Sequence, residues 1–241
     1  MSLLCTTVLM LSILFNPVIQ MVNSSTTPTF ELQYLVRQPI TSIQHPPVLF
    51  LFHGAGSNEQ DMFSFASQIP DEWLVISARA PYTVSDGHYK WYDVKMVDNK
   101  ITINFSQEEE SRKAVLKFMD EIISFYHADR NRIVLAGFSQ GANMASVVSL
   151  TAPEKIMGFA IFSGRFIEEI KPLISTSASL RLVKCFLAHG NRDYMLPIAY
   201  ARENQQVIQL LGISVTFSED VSAHTISQKQ YKDFLHWLKQ F

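Results

Sequence analysis

Cysteine is scarce in this chain. Its 241 residues hold two, Cys5 and Cys185. That count excludes a disulfide framework and a cysteine-rich zinc site. Cys185 lies in the apolar run Leu182 to Leu187 and reads as a buried thiol, a small hydrophobe rather than a nucleophile. Charge is sparse as well. Lys and Arg number 20 against 22 Asp and Glu, a formal net charge of -2. With no basic run interleaved with aromatics, the chain has no field for gripping phosphate backbones, and nucleic acid is excluded as a partner. Disorder is excluded too, because hydrophobic residues make up 47% and disordered chains are poor in them.

The amino terminus lacks charge altogether: none appears before Glu31. Leu3 to Phe15 is almost wholly apolar and is followed by small polar residues, Asn23 to Thr27. Residues 1–25 therefore resemble a secretory signal, although the usual basic start is missing and Asn16-Pro17 interrupts the run. The run is shorter than the roughly 20 apolar residues of a membrane span. A cleaved signal would place the protein outside the cell or in a periplasm. A noncleaved anchor and a buried N-terminal element are the other readings, and without a signal the chain is cytoplasmic. Asn23-Ser24-Ser25 and Asn104-Phe105-Ser106 fit the glycosylation triplet.

Residues 26–241 read as one α/β domain, a size that supports a well-buried core. Phe30 to Val36 alternates like an exposed strand. Val48 to Phe52 is a compact apolar run, the mark of a strand buried on both faces. Asp61 to Gln68 reads as a short helix and Leu74 to Ser77 as a strand. Gln107 to Tyr126 is an amphipathic helix, with Ala114, Phe118, Ile122 and Phe125 at helical spacing. Glu108, Glu109 and Glu110 sit at its start, where the dipole favours negative charge. Further strands follow at Arg132 to Phe138, Gly158 to Phe162, Leu182 to Ala188 and Ile213 to Phe217. Helices are expected over Gly141 to Leu150, Ile198 to Leu211 and Ser227 to Phe241, the second stopped by Gly212. Short buried strands alternating with helices imply a mostly parallel sheet covered on both faces. Ligands of such sheets bind at the carboxyl ends of the strands.

At one such end stands Gly137-Phe138-Ser139-Gln140-Gly141, a GxSxG motif between a strand and a helix, the setting of a nucleophile elbow. The turn must be tight, so small residues flank the serine, and the helix N-terminus beyond it offers free N–H groups to an oxyanion. A serine hydroxyl needs an adjacent base. On this scaffold the partners follow in the order Ser, then Asp or Glu, then His. His224 lies in the loop after the last strand and is the candidate base; His236, inside the final helix, reads as structural. Asp193, in the loop after Leu182 to Ala188, is the candidate acid. Glu219 and Asp220 are rivals too close in sequence to His224 to reach around its ring. Gln140 and Ala55 are the candidate oxyanion donors through their N–H groups, the latter in the loop His53-Gly54-Ala55-Gly56. His53 and His189 precede the acid and read as loop braces.

With these residues in view, the chain resembles the phospholipase/carboxylesterase group of α/β-hydrolases, which includes acyl-protein thioesterases. The resemblance runs from Pro47 to about Phe241. It is carried by Leu51 to Gly56, Ser77 to Pro81, Trp91-Tyr92-Asp93, Gly137 to Ala142, His189-Gly190 with Asp193 and Pro197, and Ala223 to Ile226. It implies the α/β-hydrolase fold with little or no lid domain, and a serine carboxylic ester hydrolase of the carboxylesterase or lysophospholipase kind, working without cofactors or metal. The substrate is then a small-molecule or lipid ester, no stable protein partner is implied, and a homodimer is left open. An acyl thioesterase or a feruloyl-type polysaccharide esterase is the alternative on the same scaffold; a non-catalytic binding module is a more distant one. Two positions depart from the family pattern: Ala223 stands where Gly is usual before the histidine, and Leu196 where Val is common before Pro197. Trp91 and Tyr92 are expected to line or flank the acyl pocket, with core packing as the other reading for Trp91. Tyr82 to Phe105 is expected as a partial lid.

Overall fold

The computed structural model describes residues 29–97 and 100–241, so the apolar N-terminal segment and its signal reading lie outside the described residues. Seven strands form the central sheet: β1 (Tyr34–Arg37), β2 (Val48–Phe52), β3 (Leu74–Ala78), and, beyond two hairpins, β8 (Ile133–Phe138), β9 (Gly158–Phe162), β10 (Lys184–Gly190) and β11 (Ser214–Asp220). Their spatial order is β1-β3-β2-β8-β9-β10-β11. Every neighbouring pair is parallel except β1 with β3. The hairpins are β4 (Tyr82–Ser85) with β5 (His88–Lys90) and β6 (Val94–Val97) with β7 (Lys100–Ile103).

The apolar runs become central strands because both faces are covered. On β2, Val48, Phe50 and Phe52 enter one core while Leu49 and Leu51 enter the other. Ile133 and Leu135 of β8 follow the first, Val134 and Ala136 the second. The first core is closed by α2 (Phe105–Phe125), α3 (Gln140–Thr151) and α4 (Ala199–Leu210); the second by α1 (Glu59–Phe63) and α5 (Gln228–Leu238). Ser227 starts α5 with a capping box, its side chain on the Gln230 N–H and the Gln230 side chain on its own N–H, which satisfies two otherwise orphaned donors.

Several expected boundaries move. The helix expected over Asp61 to Gln68 is α1 followed by a separate 3-10 turn, Ala66–Gln68. Leu182 is not in a strand: it ends a 3-10 turn and stands 80% exposed. β11 continues to Asp220, past the expected end at Phe217, because Gly190 and Asp220 still pair. Tyr82 to Phe105 forms the two hairpins. Glu108 lies in the first turn of α2, as expected, and is fully buried there, with neither oxygen hydrogen bonded. Burial, with Glu109 adding to it, raises its pKa to about 7. Arg112 is turned away, holding Glu109 through Nε and Nη2 at 2.7 and 2.8 Å. Among the described residues, no helix is long and apolar enough to cross a membrane.

Candidate active site

Parallel strands bring their carboxyl ends to one edge of the sheet, and four of the loops that leave this edge carry the expected residues. β8 passes directly into Ser139, which precedes α3 with φ 53 and ψ -118. This positive φ is strained for a side chain other than glycine, by about 1–3 kcal/mol. The surroundings hold it there: the Ser139 N–H donates to the Phe162 carbonyl at 2.9 Å, and its carbonyl accepts from the Asn143 N–H at 3.1 Å. The flanking glycines have a steric cause. A Cβ on Gly137 would overlap the Gly141 carbonyl, and one on Gly141 would overlap the Phe52 carbonyl. Strand, turn and helix therefore pass each other at backbone distance.

Ser139 Oγ lies 3.0 Å from His224 Nε2. On the other side of the ring, His224 Nδ1 donates to Asp193 Oδ2 at 2.7 Å. The Phe138 ring packs on the imidazole, centroids 4.9 Å apart. The Asp193 side chain is fully buried and that of His224 is 14% exposed. Oδ1 of Asp193 accepts the N–H groups of Met195 and Leu196 at 2.9 and 2.8 Å. The aspartate thus shapes its own turn with one oxygen and orients the histidine with the other. The two loops are stitched together: Asn191 N–H donates to the Asp220 carbonyl and Arg192 N–H to that of Ser222. A Cβ on Gly190 would overlap the Ser222 carbonyl, which accounts for glycine at the end of β10.

The rivals are engaged elsewhere. Glu219 takes the Asn191 amide at 3.2 Å and sits 3.6 Å from Arg202. Asp220 accepts from the Val221 N–H and the Ser227 hydroxyl. His236 is exposed on α5. Ala223 is absent from the residues with positive φ, so the position occupied by Gly in the family tolerates a Cβ here.

His53 and His189 are braces. His53 is fully buried; its Nδ1–H donates to the Gly54 carbonyl at 2.7 Å and its Nε2 accepts from the Ala80 N–H at 3.1 Å. Both ring nitrogens are therefore committed to backbone, and burial lowers its pKa. His189 Nε2–H donates to the Leu196 carbonyl at 2.7 Å and lies 3.4 Å from Asp193 Oδ2. Its pKa is likewise lowered by burial.

Ala55 occupies an exposed turn after β2. The neighbouring Gly54 abuts the serine: a Cβ there would stand 3.4 Å from Ser139 Cβ. Gln140 opens α3, so its N–H has no intrahelical acceptor. Trp91 and Tyr92 are both fully buried in the core, in keeping with the packing reading for Trp91. The Trp91 indole N–H donates to the His53 carbonyl at 2.9 Å, and the Tyr92 hydroxyl accepts from the Asn143 amide at 2.9 Å. Sequence reasoning missed the side chains of Gln140 and Asn143, which hold this segment; polar residues inside the apolar stretch that follows the serine were the available signal. Among the described residues no cluster of His, Cys, Asp and Glu has the makings of a metal site.

Comparison with known proteins gives the same outline. Acyl-protein thioesterase 1 of Emericella nidulans is 26% identical over 194 residues, 73% of this chain and 81% of that protein. The mouse lysophospholipase-like protein 1 is 21% identical over 212 residues, 81% and 87% of the two chains. Among solved structures, the Bacillus cereus carboxylesterase superposes with a TM-score of 0.74 at 20% identity, covering 87% of this chain and 94% of that one. A carboxylesterase from Mesorhizobium loti gives a TM-score of 0.76 at 18% identity, covering 90% and 99%. These neighbours share the α/β-hydrolase fold. The phospholipase/carboxylesterase family model matches residues 39–241. The chain therefore belongs to the phospholipase/carboxylesterase family and is a hydrolase of the esterase type.

Proposed function

We propose that this protein hydrolyses carboxylic esters of small molecules or lipids through a covalent acyl-enzyme, with Ser139, His224 and Asp193 as its triad. The observation that carries this reading is the continuous line of hydrogen-bonding groups, Ser139 Oγ to His224 Nε2 at 3.0 Å and His224 Nδ1 to Asp193 Oδ2 at 2.7 Å. Ser139 Oγ attacks the ester carbonyl while His224 Nε2 takes its proton. Asp193 holds the tautomer with hydrogen on Nδ1 and stabilises the imidazolium that forms. The Ala55 and Gln140 N–H groups receive the oxyanion, each worth roughly 3 kcal/mol at the transition state. His224 then protonates the leaving alcohol, and in the second half-reaction it activates water against the acyl-Ser139 ester.

The test is hydrolysis of p-nitrophenyl acetate and butyrate by the wild type and by Ser139→Ala at matched folded concentration. The expected loss is on the order of 10⁴-fold or more. An inactive wild type, or an alanine variant as active as the wild type, refutes the triad. A second reading, thioester hydrolysis, is favoured by the relatives named acyl-protein thioesterases. Acyl-CoA and S-acyl peptide substrates, compared with the aryl esters by kcat/KM, decide between the two.

A further inference from the structure

Trp91 is buried between the two loops that carry the expected oxyanion donors and is bonded to both sides. Its indole N–H holds the His53 carbonyl at 2.9 Å, two residues before Ala55. Its backbone N–H is held by Gln140 Oε1 at 2.8 Å, while Gln140 Nε2 donates to the Tyr92 carbonyl at 2.8 Å. The Gln140 side chain thus pairs with the Trp91–Tyr92 backbone as a second peptide would. The segment is pinned further: the Ser111 hydroxyl donates to the Trp91 carbonyl at 2.6 Å, and Tyr89 bridges to the other side of the Ala55 turn through Gly56 N–H to Tyr89 O and Tyr89 N–H to Ser57 O, both 2.8 Å. The Trp91 ring packs edge-on against Phe52, centroids 5.3 Å apart, and beside His53 at 5.8 Å.

We propose that Trp91 and the Gln140 side chain form a strut that fixes the Ala55 and Gln140 N–H groups relative to each other, making Trp91 a positioning residue for the oxyanion hole. The proposal rests on the serine-hydrolase reading above. Its physical basis is that α3 and the loop after β2 are separate pieces of chain, and two donors must converge on one oxygen to stabilise it. The strut joins His53 to Gln140 through a single rigid residue. All of its polar atoms are buried and paired, so the spacing is set before substrate arrives, and pre-set donors are what make such a site effective. The strut touches no substrate, and its loss is felt where the oxyanion forms rather than where the ground state binds.

Trp91→Phe removes the indole donor and keeps an aromatic ring against Phe52. Ester hydrolysis is measured alongside inhibition by an aryl trifluoromethyl ketone. In that adduct Ser139 Oγ bonds to the ketone carbon, the serine proton passes to His224, and the carbonyl π pair becomes an oxyanion. The variant is expected to lose about 10- to 100-fold in kcat, the scale of a small misplacement, with KM within about twofold of wild type. Affinity for the ketone should fall by the same factor as kcat/KM. Gln140→Met, which keeps the backbone N–H, is expected to do likewise, and the double variant to lose less than the product of the two, because both cut one strut. Phe118→Leu, buried in the same core away from the site, serves as the reference for general destabilisation: it should lower Tm and leave kcat and ketone affinity unchanged. If Trp91→Phe folds poorly, Gln140→Met alone carries the comparison. Wild-type kcat and ketone affinity in the strut variants overturn the proposal, as does a loss that Phe118→Leu shares at equal Tm. A wild type without esterase activity sinks the serine-hydrolase reading itself; an active wild type with unaffected strut variants sinks the strut alone.

Discussion

Replacing Glu108 by Gln should gain stability relative to the wild type as pH rises from about 4.5 to about 7, and gain little more beyond it. The Glu108 carboxyl is fully buried, both oxygens lack partners, and its pKa is raised from 4.5 to about 7 by burial and, less, by Glu109. In the unfolded chain the same group ionises near 4.5. Between these two values the folded state holds a proton that the unfolded state has released. Stability contributed by this group is therefore complete below about pH 4.5 and is lost as pH rises through 7. The raised value corresponds to about 3 kcal/mol, at roughly 1.4 kcal/mol per unit. Gln carries no such titration, and any fixed cost of its amide in the same site is independent of pH. The difference in unfolding free energy between Glu108→Gln and wild type should thus shift by about 3 kcal/mol in favour of Gln between pH 4.5 and pH 8. Urea unfolding at pH 4.5, 5.5, 6.5, 7.5 and 8.5 measures it, since other titrations cancel in the difference. A difference constant to within about 0.5 kcal/mol would refute the claim that this carboxyl is buried without a partner, because a solvated Glu108 would titrate alike in both states and an ion-paired one would already be charged in the folded protein at the lowest pH measured.

Two further outcomes follow from packing. Gly141→Ala should cost at least about 3 kcal/mol by urea midpoint, because its Cβ would overlap the Phe52 carbonyl and backbone cannot rotate away as a side chain would; a wild-type midpoint would mean that α3 sits farther from β2. Cys185 is fully buried and its thiol pKa is pushed well above the usual range by burial, so it should resist iodoacetamide in the folded protein and react on unfolding, as mass spectrometry would read; labelling in the native state would contradict its place inside β10.

The central strands were legible because being buried on both faces leaves an unbroken apolar run, as in Val48 to Phe52. The serine was legible because the elbow is local: five consecutive residues specify strand end, turn and helix start. Asp193 and His224 could be reached only through chain order and loop position, yet the structure seats His224 beside Ser139 and Asp193 on the far side of its ring. The hairpins were not legible. Val84, Val94, Met96 and Val97 are all exposed, so no buried face imposes a two-residue period on them. The bonding of Trp91 was not legible for a different reason. Its apolar bulk is visible in sequence, but the partner of its indole N–H is 38 residues away at His53 and exists only once β2 and α3 have been brought together. Glu108 was legible in position and not in charge. It stands in the first turn of its helix, as expected, but the surrounding core, which the sequence does not display, raises its pKa.

The groups assembled at the sheet edge are drawn from His53, Trp91, Ser139, Asp193 and His224, which span most of the described chain. The bonds that join them to one another, Ser139 to His224, His224 to Asp193 and Trp91 to His53, are all long-range, so closing the site requires long loops to be joined first, the slow kind of ordering in folding. On the proposed triad, competence therefore arrives only with the last two strands. A chain still awaiting β11 carries Ser139 on its elbow with no His224 beside it, and one awaiting both β10 and β11 lacks Asp193 as well.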